Sequence, residues 1–151
     1  QLWEWHPTSD WIEVPGSSMM GPNGLVSSDD GAWFYVGGWS DRALVRISRG
    51  KIPAEVEIIP VGFNVDNVRW GTDGRIIAAG HITRCPSDEE CDTSAVRVAK
   101  VNPGNFEVEQ LLDYDGNEFF EMGTVAIDVK DEIWVGGIYG SFAIARFAKR
   151  N

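Results

Sequence analysis

Apolar and polar positions alternate over short stretches of this chain, and each stretch ends at a turn-forming cluster. One phrase recurs three times. It runs from Asn23-Gly24-Leu25-Val26 to Tyr35-Val36-Gly37-Gly38, from Asp66-Asn67-Val68-Arg69 to Ile77-Ala78-Ala79-Gly80, and from Gly123-Thr124-Val125-Ala126 to Trp134-Val135-Gly136-Gly137. The alternation has a period of two, which predicts strands. Each copy predicts a first strand, a tight turn, a second strand, a loop and a third strand. The turns are Asp29-Asp30-Gly31, Thr72-Asp73-Gly74 and Lys130-Asp131-Glu132. Asp-Gly is a strong hairpin signal because glycine accepts a positive φ.

Second strands are expected over 34–38, 76–80 and 133–137. Third strands carry a basic residue between apolar ones: Val45-Arg46-Ile47, Ala99-Lys100-Val101 and Ala145-Arg146-Phe147. Fourth strands are expected near 55–60 and 106–113. Residues 2–5 and 10–14 look like the last two strands of a preceding unit. The interval from Asp73 to Asp131 exceeds that from Asp30 to Asp73, and the excess lies around Cys85 and Cys91.

A repeat of this length and strand content points to the blades of a β-propeller. The expected fold is all-β, a partial propeller of about three four-stranded blades in a single domain over 1–151. Within it, 1–15 would hold the last two strands of a blade, 21–60 one blade, 63–113 another with the cysteine loop inserted, and 121–148 a final three-stranded blade. An open row of blades leaves strand edges and apolar faces to be covered. Two solutions are expected: a homodimer that closes a six-bladed ring, or an N-terminal half belonging to a longer chain.

Composition narrows the function. The chain has 151 residues, a 43% hydrophobic fraction, 17 glycines, and seven tryptophans, three tyrosines and seven phenylalanines, which suits a turn-rich β domain. The formal charge of −10 argues against nucleic acid, whose phosphates call for a basic surface. It is compatible with cation binding, although an acidic surface serves solubility in most proteins. No apolar run approaches the ~20 residues of a membrane-spanning helix. No signal peptide is visible, so the chain is expected in the cytosol unless it begins after a removed segment. Cys85 and Cys91 bracket the loop Pro86-Ser87-Asp88-Glu89-Glu90 with no partner at zinc-like spacing. A loop-closing disulfide, which would indicate an oxidising, secreted or periplasmic compartment, and two reduced thiols are both open readings.

Three phrases carry a resemblance. Gly21-Pro22-Asn23-Gly24-Leu25 followed by Asp29-Asp30-Gly31 resembles the gluconolactonase and strictosidine synthase-like six-bladed propellers. Val65-Asp66-Asn67-Val68, with Gly80-His81 ending the next strand, is similar to the paraoxonase (arylesterase) branch. Gly123-Thr124-Val125-Ala126-Ile127, with Ile133-Trp134-Val135-Gly136 and Ala145-Arg146-Phe147, resembles that superfamily's final blade. The likeness spans nearly the whole chain and matches the C-terminal half of the family.

The paraoxonase branch consists of calcium-dependent hydrolases of lactones and aryl esters. The resemblance implies calcium as cofactor, with Asn23, Asp66 and Asn67 among its ligands. Their carboxylate and amide oxygens are the hard donors that calcium prefers. In the third copy that place is held by Gly123-Thr124, and the family's remaining ligands and histidine pair fall outside this chain. For Asn23 and for Asp66-Asn67 the plain alternative is turn capping.

His81, at the end of a second strand, is expected near the same mouth, as a general base on a metal-bound water or as an ordinary loop histidine. Trp39 and Tyr139 would form an aromatic rim for a small apolar or sugar-like ligand, or would pack over blade edges. Glu118 and Glu121 lie near the same end, Glu121 as a further group lining the mouth. His6 has no such context.

Three functions follow. The first is a calcium-dependent hydrolase of a lactone or ester, incomplete unless dimerised or joined to an N-terminal half. The second is a non-enzymatic half-propeller that binds a small ligand or a protein. The third is condensing or lyase chemistry of the strictosidine synthase kind.

Overall fold

The computed structural model describes residues 1–84, 92, 94–138 and 144–149. Tyr139, Cys85 and Cys91 therefore lie outside the described residues. Among the described residues thirteen strands form four antiparallel sheets, none closed into a barrel, and the fold is an all-β partial propeller. A two-stranded hairpin, β1 (Trp3–His6) and β2 (Asp10–Glu13), comes first. Two four-stranded meanders follow. The first contains β3 (Pro22–Ser27), β4 (Trp33–Gly38), β5 (Ala43–Ser48) and β6 (Val56–Pro60). The second contains β7 (Asn64–Trp70), β8 (Ile76–His81), β9 (Val96–Val101) and β10 (Val108–Tyr114). The terminal sheet has β11 (Gly123–Val129), β12 (Glu132–Gly137) and β13 (Ala145–Ala148).

The hairpin turns follow from local chemistry. Gly31 and Gly74 sit at φ 68° and 76°, the left-handed region where a side chain is costly. The third turn lacks glycine and is tighter, with Lys130 itself at φ 56° and Asp131 joining β11 to β12.

Alternation then sends each sheet's side chains to opposite neighbours. Tyr35 and Leu44 of the first meander pack with Val65, Val68, Ile76, Ala78, Ala99 and Val101 of the second. Ile77, Ala79, Val96 and Val98 point the other way, onto Ala126, Ile133 and Val135 of the terminal sheet. Val36, Val45 and Ile47 meet Val14, with Leu2 and Met19 beside them, under the hairpin. Three apolar layers thus hold four sheets in a row, and β8 and β9, covered on both faces, are buried throughout.

The basic residue of each third strand is matched by acids. Arg46 pairs with Glu57 and lies 4.0 Å from the centre of the Trp33 ring. Arg146 pairs with Glu132 at 2.7 Å. Lys100 is buried, 2.8 Å from Asp73 and also paired with Asp128 of the terminal sheet, so one ammonium ties two sheets together.

Candidate functional site

The first strand of each blade carries a register shift near its start. Pro22 faces Gly38 while Leu25 faces Val36. Val65 faces Gly80 while Asn67 faces Ala79, and Gly123 faces Gly137 while Val125 faces Gly136. One extra residue is inserted in each strand. Aligned on the facing glycines, the residues entering the bulge are Asn23, Asp66 and Thr124. A bulged residue is released from the ladder and its side chain is re-aimed, which is why bulges recur beside binding sites.

The surrounding glycines make this possible. A Cβ at Gly80 would lie 1.9 Å from the carbonyl oxygen of Asn64, so only glycine can face the bulge of β7. A Cβ at Gly24 would lie 2.6 Å from both Asn67 Cα and Val68 N. The backbone of β3 therefore touches β7 beside Asp66. β7 in turn packs against β11.

A polar network joins these positions. Asn67 Nδ2 donates to Asp66 Oδ1 at 2.9 Å and to the Thr124 carbonyl at 3.0 Å. Asn64, buried at the head of β7, donates to the Trp39 carbonyl at 2.9 Å and accepts from the Thr83 amide at 3.0 Å. Asp66 is half-buried, and burial raises its carboxyl above the ordinary value, while His81 pulls it back. Asp66 forms no ion pair with Lys or Arg among the described residues. A carboxylate that is desolvated and unmatched by a cation costs stability as it stands.

His81 is 2% exposed. The indole N–H of Trp39 donates to His81 Nε2 at 3.3 Å. Indole nitrogen is a donor only, so Nε2 must offer its lone pair and the neutral ring carries its proton on Nδ1. Nδ1 has no hydrogen-bond partner among the described residues, although the Gly123 backbone lies close enough to favour the charged form. Burial pushes the imidazole below its usual value, with Asp66 and Gly123 opposing.

The structure thus gathers Asp66, Asn67, His81 and Trp39 at one end of the inner strands. Asn23 is exposed and is in register with Asp66. Glu121 is half-buried just ahead of β11, and Glu118 is exposed. Thr124, which holds the third copy's place, belongs to the same cluster, and so does Asn64, which the sequence reading does not single out. A polar residue set between Phe63 and Val65 is the sign for Asn64 in the sequence. Among the described residues no group of three or more His, Cys, Asp or Glu is placed to hold a metal ion. A cavity of about 210 Å³ lies elsewhere, lined by Arg69 of β7 and by Val125, Ala126, Ile127 and Trp134 of the terminal sheet, with Ile144.

No family profile matches the chain, and no curated protein matches it. Among solved structures it is similar to a protein from Bacteroides uniformis ATCC 8492 that carries the provisional description 6-phosphogluconolactonase. Identity is 11% and the TM-score 0.41. The match covers 99% of this chain and 60% of that one, so this chain spans less than two thirds of that protein's length.

Proposed function

We propose that this chain forms part of a propeller hydrolase for a lactone or ester, with the ligand held where the inner strands bulge. The observation that carries the reading is Asp66: a half-buried carboxylate without a Lys or Arg partner among the described residues, in register with Asn23 and Thr124. Such a group is stabilised when a ligand supplies positive charge or a proton.

The donor set suits calcium in kind, since Asn23, Asp66 and Asn67 offer only oxygens. It falls short in number, because calcium takes about 6–8 ligands. Asn23, Asp66 and Asn67 would hold the ion, which when bound would polarise a substrate carbonyl. The chain's own groups orient the site. Asn67 Nδ2 donates to both the Thr124 carbonyl and Asp66 Oδ1, so the Asn67 amide oxygen points away from Asp66 and the amide would turn over to share an ion with it. Trp39 sets the His81 tautomer, and His81 can act as base only once the indole leaves Nε2.

Calorimetric calcium titration, followed by assays on a panel of lactones and aryl esters, tests the reading. Binding in the millimolar range or tighter, with hydrolysis that is lost in Asp66→Ala, is the expected result. Neither binding nor turnover would sink it.

A second reading has its own support. His81 is 2% exposed with its lone pair engaged, which suits a half-propeller that binds a small ligand without turning it over. Ligand binding with no hydrolysis by the intact protein would favour that reading.

A further inference from the structure

The two ends of the row of sheets are both apolar and carry opposite charge. At the first end, Glu4 and His6 turn toward the neighbouring sheet, and Glu4 pairs with Arg49. Trp3 and Trp5 therefore face outward. Trp11 is the cross-strand partner of Trp5, and Glu13 that of Trp3, so all four share the outer face. The three indoles are 52%, 57% and 62% exposed. A tryptophan presents about 150–250 Å², so the patch is on the order of 300 Å², the size that marks interaction surfaces. Glu13 has no ion pair among the described residues.

At the other end, Ala126, Ile133 and Val135 face inward. Val125, Ile127 and Trp134 face outward and line the cavity of about 210 Å³ together with Ile144, and Arg69 reaches it from β7 of the neighbouring sheet. Ile144 is 64% exposed. Arg146 on this face is neutralised by Glu132, whereas Arg69 has no acidic partner among the described residues.

We propose that the outer face of the β1–β2 hairpin of one copy packs on the outer face of the terminal sheet of a second copy. Glu13 meets Arg69, and the tryptophans fill the cavity beside Trp134. The contact repeats the arrangement inside the chain, where each sheet stacks face to face on the next through an apolar layer. Each copy contributes one face of each kind, so two copies related by a two-fold axis satisfy both contacts in a closed pair. The inference is independent of the hydrolase reading.

Light scattering coupled to gel filtration tests it on the intact 151-residue chain. The expected mass is twice the 16.7 kDa of one chain. Trp11→Glu and Arg69→Glu, at exposed positions, should each give a monomer with an unchanged circular dichroism spectrum. Glu13→Arg combined with Arg69→Glu should restore the dimer that either change alone abolishes. A wild-type monomer at high micromolar concentration, an open polymer, or a dimer indifferent to all of these changes would overturn the proposal.

Discussion

Trp39 Nε1 and His81 Nε2 are joined by a hydrogen bond that can run in one direction only, from indole to imidazole, at 3.3 Å. Protonation of His81 would set two N–H groups against each other. Burial already disfavours the charged ring, and this contact adds to it. Trp39→Phe removes the opposing donor, so the His81 pKa should rise toward the ordinary value of about 6.5. A titration of the imidazole resonances by NMR measures it. An unchanged pKa would mean that desolvation alone sets the ring's state. The pH dependence has a fixed sign. With its folded value below its unfolded one, His81 weakens the fold as pH falls through the unfolded value, and is without effect well above it.

Asp66 carries the opposite sign. Its folded carboxyl is raised, so the folded state holds its proton more tightly than the unfolded chain. Stability should fall as pH rises from the unfolded value toward the folded one, and the penalty persists at neutral pH. Asp66→Asn keeps the amide contacts within reach and deletes the charge. In metal-free buffer it should stabilise the protein, by less than about 1 kcal/mol for a half-exposed group. Thermal melts at pH 7 and at pH 3.5 test this: the gain should appear at the higher pH and shrink at the lower. If calcium binds here, the wild type alone should gain melting temperature on its addition.

Lys100 gives the largest expected effect. Its ammonium lies between Asp73 and Asp128. Burial alone would raise the Asp73 carboxyl, but Lys100 and then Arg75 hold it well below the usual range. Lys100→Met leaves Asp128 with only Lys149 and the exposed Asp73 with only Arg75, so the loss should stay below the roughly 3–5 kcal/mol of an uncompensated buried charge. Urea unfolding at pH 7 should show that loss. A depressed folded value means that Asp73 adds stability above its unfolded pKa and loses it as pH falls through the acid range. The variant should therefore have a shallower acid-denaturation profile than the wild type. Equal profiles would show that Arg75 suffices.

The blades were legible because local signals agreed with one another. Asp30-Gly31 and Asp73-Gly74 marked two turns, alternation marked the strands, and the basic residue of each third strand marked the copies. The third turn was legible by position alone, since Lys130 takes the positive φ without a glycine. Partners were harder to read. Arg46, Lys100 and Arg146 occupy matching places in the sequence, yet Lys100 is buried because its acids come from another strand pair and another sheet.

In the site, Asn23 and Asp66 were singled out by the family resemblance, at matching places in the first two copies of the repeat. The bulges that make them equivalent belong to strand pairing and leave no mark in a single strand. The Trp39 to His81 bond joins residues of different sheets, so the sequence placed both near one end without showing that the first engages the second.

Asn23, Asp66 and Thr124 share a further property. Each stands at a residue the hydrogen-bonding ladder does not count, while glycines opposite and beside it hold the backbone. Exchange of one of these side chains for another leaves every strand partner where it was. The three positions already hold an amide, an acid and a hydroxyl on the same scaffold. Chemistry at this end of the blades can therefore vary while the architecture stays constant, and relatives with unlike ligands should differ first at these three places.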